Sequence, residues 1–301
     1  MIQKVYIGAL VLLLFQLSGC IKEDLDDCFR DYAFRVSFIY YGDGTTDIFP
    51  SKTESVQMYV FDTEGTYVDR YTYSGTSPNA FQGITLDLEP GSYDVICWSN
   101  VTGLSEITGG EGPLEDHALY SSPYLSGDPI ENFDSLYFGR QRIIIPANRE
   151  GEDTVYFSSA HINMEVYVEG LPSTWASRAV EDPQGWLVVR NVFVGYDFAG
   201  QVTGEVSDMY PAFVPTTQED MMMSRFNLFR FNNQNRILID IYNGEGRLAY
   251  TLDLSDFLAQ HNINVEGVNE ITVPVYIRFT GSGKVQVSVA PWGSEIVNPI
   301  V

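Results

Sequence analysis

Positive charge is scarce in this chain: 17 Lys and Arg stand against 40 Asp and Glu, a formal net charge of -23 over 301 residues. Phosphate backbones and anionic headgroups repel a surface of that sign, which excludes nucleic acid as a partner. Histidine is scarcer still, at three, and His117, His161 and His261 fall in separate segments with no metal-ligand spacing. There is no G-x-S-x-G elbow. The run Gly281, Ser282, Gly283, Lys284 lacks the leading glycine and the trailing Ser or Thr of a phosphate loop. Asp43 and Asp47 flank a glycine turn without EF-hand spacing, and read as turn residues rather than calcium ligands. These absences leave no enzyme, no cofactor and no metal site to assign.

Long apolar runs are also missing. The segment from Val5 to Phe15 is shorter than the roughly 20 residues a bilayer crossing needs, and with Lys4 ahead of it has the form of an export signal. Leu17, Ser18 and Gly19 before Cys20 resemble a bacterial lipobox. That resemblance implies cleavage after residue 19 and lipidation of Cys20, which then anchors the chain to the outer membrane. Several acyl chains at about 0.8 kcal/mol per buried methylene hold more firmly than one. Lys22, Glu23 and Asp24 resemble the short lysine-then-acids tag that sends Bacteroidetes lipoproteins to the cell surface. Residues 20–31 are then a tether.

Cysteine is the third scarcity, with three in the chain. Once Cys20 carries lipid, Cys28 and Cys97 remain as an even pair in an oxidising compartment, and a disulfide between them is the expectation. Two unpaired thiols, one in the tether and one in the core, are the alternative.

Hydrophobic residues are plentiful, at 45% with 14% aromatic, so the chain has material for a large core. Its periodicity is two almost throughout. Strands are expected at 33–41, from Val56 to the turn that begins at Asp62, at 67–73, at 84–88 and, after the turn 89–91, at 93–98. Val56, Met58 and Val60 share one face. Tyr93, Val95 and Cys97 share another, with Ile96 and Trp98 opposite, which marks a central strand. Residues 101–132 show no sustained period and read as a long loop, with a helical turn near 113–119. Strands resume at 135–140, 142–146 and 154–158.

A fresh set begins at Ile162, with further strands at 187–196, 226–231, 237–241, 247–254, 271–279 and 285–289. Ser255 reads as the N-cap of one short helix, 256–260. Pro274 cannot donate to a ladder, so its strand is expected at an edge there or bulged. The pattern predicts an all-β fold of two tandem β-sandwiches, residues 32–158 and 159–301, with one short helix in the second.

Several pieces occur together. They are the lipobox with Lys22, Glu23, Asp24 and Cys28; SVQMYVFDTEG from Ser55 to Gly65; LEPGSYDVICWSN from Leu88 to Asn100; HINMEVYVEGL from His161 to Leu171; and VSVAPW from Val287 to Trp292. Together they resemble the FimB-type fimbrial anchor family of Bacteroidales type V pili. The resemblance implies transthyretin-like sandwiches, a lipid-held subunit at the base of a fimbrium, control of its length, and strand-edge contact with the first stalk subunit. It also implies that Arg30 and Arg35 stay uncut, because cleavage at either by the arginine-directed protease of those pili would free the domain from Cys20. A tip or accessory fimbrial subunit, or a surface glycan-binding lipoprotein using an exposed aromatic row, is the competing function.

Overall fold

A computed structural model describes residues 34–75, 81–171, 185–216, 221–281 and 283–290. Cys20, Lys22, Glu23, Asp24, Cys28, Arg30 and the tail from Gly293 to Val301 lie outside the described residues. The fold is all-β, as the alternation predicts. The first half holds β1 (Phe34–Ile39), β2 (Ser55–Asp62), β3 (Tyr67–Ser74), β4 (Gly83–Leu86), β5 (Gly91–Ser99), β6 (Ser105–Thr108), β7 (Ala118–Ser121), β8 (Tyr137–Ile145) and β9 (Gly151–Ser159). Seven of them form one sheet in the order β3-β2-β5-β8-β9-β1-β4. β8 and β9 pair only from Tyr137 to Gly139, and there the sheet turns back on itself. Gly139 permits the fold, since a Cβ on it would lie 2.4 Å from Val155 Cγ1.

Between the two layers lies the first core, in which Val36 and Phe38 of β1 meet Val56, Met58 and Val60 of β2 and Val95 and Cys97 of β5. Cys97 is fully buried with no disulfide partner among the described residues, and burial pushes its thiol pKa up. β8 is one continuous strand, where the sequence suggests a break at Gln141.

The second half holds β10 (His161–Glu169), β11 (Gly185–Phe193), β12 (Gly195–Asp197), β13 (Val206–Met209), β14 (Val214–Pro215), β15 (Met221–Phe229), β16 (Leu238–Asn243), β17 (Leu248–Asp253), β18 (Thr272–Phe279) and β19 (Val285–Val289). A five-stranded sheet, β14-β15-β10-β18-β19, faces a four-stranded one, β13-β11-β16-β17. Met164, Val166, Val275 and Ile277 from one meet Leu187, Val189, Ile239 and Ile241 from the other in the second core. Helices are single short pieces: α1 (Phe49–Lys52), α2 (Ser122–Ser126) and α3 (Leu254–Gln260). Asp253, not Ser255, caps α3, its carboxylate accepting from the Ser255 N–H at 3.1 Å.

Pro274 lies in an internal strand rather than at a sheet edge. Pairing with β19 begins only at Val275, and the Pro274 carbonyl accepts from Ala290 N–H at 3.2 Å. A residue's N and C=O point to the same side of a strand, so the missing donor faces the side where the β19 ladder has ended.

Two departures from the sequence reading have one cause. Residues 101–132 are not an unstructured excursion. They form the hairpin β6–β7, a 3-10 turn at Leu114–Asp116 and α2, and β7 pairs on its other side with β12. The expected strand 187–196 is split so that β12 can make that pairing. Asn191 takes a left-handed φ of 61° and the β11–β13 register shifts between Val189 and Val192. Four-residue strands are too short for their alternation to stand out, and their partner lies far along the chain.

This hairpin clasps the halves together. Tyr59, Phe61, Ile96 and Trp98, on the outer face of the first sandwich, join Leu119 and the whole interior of the second sandwich in one continuous cluster. His117 is buried among the rings of Tyr59, Phe61 and Phe198, with Nδ1 at 2.9 Å from Pro113 O and Nε2 at 3.1 Å from Gly110 O. It is a packing residue. Polar contacts reinforce the junction: Asn269 and Glu270 donate their N–H groups to the Asp43 carboxylate at 2.8 and 2.7 Å. Tyr40 donates to Glu270 at 2.5 Å, and Lys52 pairs with the same carboxylate.

Leu119→Ala should empty part of that shared core and cost about 2–5 kcal/mol of stability. Urea unfolding measures it; a loss below about 1 kcal/mol would show that the hairpin only rests on the surface.

Candidate strand-edge interface

An extended partner binds a sandwich by adding a strand to an edge, with main-chain hydrogen bonds giving affinity and alternate side chains giving register. The question is therefore which edges are open. The four-stranded sheet is closed on one side: Ile130 bridges Met209 in parallel and accepts from Tyr210 N–H at 2.7 Å, covering β13. β14 has two residues and β4 has four, too short to template much pairing. β17 and β19 offer six and five residues. β3 offers eight.

β3 is lightly protected for an edge strand, with one charged pair, Asp69 and Arg70, and one register shift. It contains no proline, and Tyr67, Val68, Tyr71, Thr72 and Tyr73 are strand formers. Its pairing with β2 runs from Ser74 opposite Ser55 to Tyr67 opposite Phe61, with one register shift. Tyr71 and Tyr73 lean onto the first core, while Val68, Arg70, Thr72 and Ser74 point to solvent. Burial, followed by Asp69, raises the Tyr71 hydroxyl pKa. Arg70 is drawn back over the Tyr59 ring, 5.9 Å from its centroid. Its charge is therefore held over the sheet face. β4 approaches β3 at the other edge of the same sheet.

The N-terminal strand is placed differently. β1 is internal, parallel to β9 on one side and antiparallel to β4 on the other, and Arg35 pairs with Thr85 and Glu152 within those ladders. The Arg35 guanidinium lies 3.8 Å from the centre of the Phe81 ring. A protease needs an extended, unpaired segment, and this one is spoken for on both sides.

On the neighbouring face, Arg142 makes two 2.9 Å hydrogen bonds to the Asp94 carboxylate. Those bonds hold Asp94 below the usual carboxylate range, with Arg140 adding to the effect. Asp43 and Asp47, the acids of the first turn, are spent internally, Asp47 accepting from the N–H groups of Tyr40 and Phe49. No cluster of His, Cys, Asp or Glu suited to a metal exists among the described residues. No described helix is long and apolar enough to cross a membrane.

Among the described residues, aromatic side chains fill the cores and form no exposed row. The outward ones are isolated or paired, as Tyr41 with Tyr156 and Trp186 with Tyr242. The sequence missed the roles of Asp43 and Leu119, and in both cases the partner is distant in the chain. Length was the one signal for β3.

Comparison with known proteins agrees with this architecture. Residues 25–298 match the family described as fimbrillin-A associated anchor proteins Mfa1 and Mfa2. Among solved structures, a candidate polysaccharide-binding protein from Bacteroides thetaiotaomicron superposes with a TM-score of 0.69 at 16% identity, covering 89% of this chain and 98% of that one. A candidate adhesin from Bacteroides ovatus gives 0.67 at 16% identity, over 89% and 95%. The fimbrial anchor protein Mfa2 from Porphyromonas gingivalis gives 0.64 at 14% identity, over 86% and 97%. A comparison with curated protein sequences finds no match. With nine-tenths of its length inside the family's pattern and the same fold beneath it, the chain belongs to the fimbrillin-A associated anchor family.

Proposed function

We propose that this protein is the lipid-held base of a fimbrium: Cys20 carries the acyl chains in the outer membrane, and a strand edge of the folded part holds the first stalk subunit and limits the length of the fibre. The observation that carries this reading is the family match across residues 25–298, joined to an N-terminus that reads as a lipoprotein signal. β3 is the edge we assign, as the longest open strand with no proline and with its one cation turned back over the sheet face. Capturing β1 in two ladders suits an anchor. Tension on the fibre passes to the lipid through the tether and an internal strand. Edge pairing loads many main-chain bonds at once.

Cys20→Ala removes the lipid and leaves the fold untouched. Immunogold microscopy of intact cells should then show label at fimbrial bases in the wild type and long or shed fimbriae in the variant. Label along shafts or at their tips would mean an accessory or tip subunit, and label spread over the surface with unchanged fimbriae would favour glycan capture.

Replacing Val68 and Thr72 together by lysine crowds the β3 edge with charge. Stalk-subunit binding in a pull-down should fall at least tenfold with the thermal midpoint little changed. Undiminished binding would move the contact to β19 or to the tail from Gly293 to Val301.

A further inference from the structure

The junction between the halves contains a cleft of about 330 Å³, lined among others by Phe138, Gln201, Arg230, Asn232, Asn235 and Glu266. That volume is at the lower end of the ~300–1,000 Å³ of small-molecule sites, room for one monosaccharide-sized ligand.

Its polar chemistry is unbalanced. In a protein with 40 acids, Arg142, Arg190, Arg225, Arg236, Arg247 and Arg278 all have carboxylate partners. Arg230, although largely buried, has none among the described residues. Its Nη2 donates to Val265 O at 2.7 Å and Val268 O at 2.6 Å. Its Nη1 reaches Ser159 O and His161 O only at 3.4 and 3.5 Å, and Nε–H has no hydrogen-bond acceptor among the described residues. Burial lowers its pKa, and the more distant Tyr196, Tyr40 and Asp43 offset that only in part. A partly desolvated cation whose direct partners are all carbonyls is costly, and an anion reaching it recovers part of that cost.

The amides around it are oriented as donors. Asn235 Oδ1 accepts from Asn232 N–H at 2.8 Å, and Asn232 Oδ1 accepts from Gln234 N–H at 2.9 Å. Both carbonyl oxygens are therefore used by backbone, leaving the two NH2 groups as donors. The Gln201 side chain makes no hydrogen bond among the described residues. Glu266 uses Oε1 on Asn233 N–H at 3.1 Å, which leaves Oε2 as an acceptor. Phe138 and Phe231 supply apolar wall.

We propose that this cleft binds a hydroxylated carboxylate of the size of one sugar, a hexuronate being the type. The carboxylate would lie against Arg230 and the amide donors of Asn232 and Asn235, with ring hydroxyls donating to Glu266 and exchanging bonds with Gln201. The site stands apart from the β3 edge, so its occupancy and pilus attachment are independent readouts.

Isothermal titration of the mature protein with glucuronate, glucose and acetate tests this. Glucuronate should bind at least tenfold more tightly than either of the others and raise the thermal midpoint. Arg230→Gln removes the charge but also ties to four carbonyls, and its failure to fold would not decide the matter. Asn235→Asp does, because it keeps the acceptor for Asn232 N–H, preserves shape and replaces a donor by an anionic oxygen. Its glucuronate affinity should drop at least tenfold with an unchanged midpoint in the absence of ligand. No heat with glucuronate, equal response to glucose or acetate, or an Asn235→Asp protein that binds as the wild type does would each overturn the assignment.

Discussion

The structure depends on one strand with two apolar faces. Along β5, Val95 and Cys97 point into the core of the first sandwich, while Ile96 and Trp98 point out of it into the core of the second. Most sandwich strands show water one face, and their alternation of apolar and polar residues records that. Here the outer face is apolar, and burying it requires a second body to lie against it. The hairpin β6–β7 and the strand β12 fill that space, so the halves are joined through packed side chains rather than through a linker alone. Dispersion and hydrophobic burial supply the bulk of the attachment.

Polar groups then fix the geometry that burial alone would leave free. The Asp43 carboxylate takes two backbone N–H groups from residues 269 and 270, a register that cannot slide without breaking both charge-assisted bonds. Tyr196 donates to Ala160 O at 2.5 Å and accepts from Arg230 N–H at 2.6 Å, tying the hinge between β9 and β10 to the end of β15. Such bonds add little net stability but penalise every alternative arrangement.

Much of this was legible in the sequence, for local reasons. The double-faced pattern of residues 93–98 identified a central strand, and the alternation of Ile162, Met164, Val166 and Val168 identified the start of the second sandwich's core. Those signals survive because an eight- or nine-residue strand repeats its period several times. What escaped was short or non-local. Nothing near residue 105 or 118 announces that β7 pairs with β12, and the break at Val194 follows from that pairing rather than from the residues around it. Ser255 looked like a cap because serine is a good one, yet Asp253 stands two residues earlier and accepts the bond. Arg230 gave no sign of being a half-buried cation, since its four carbonyl partners come from two segments far from it in the chain.

The central claim is that the two sandwiches are one cooperative body. Differential scanning calorimetry of the Cys20→Ala chain tests it directly, because two-state unfolding requires the van't Hoff and calorimetric enthalpies to agree. The shared core predicts a single transition with a ratio near one. Two resolved transitions, each with its own ratio near one, would contradict it and make the halves independent domains on a tether.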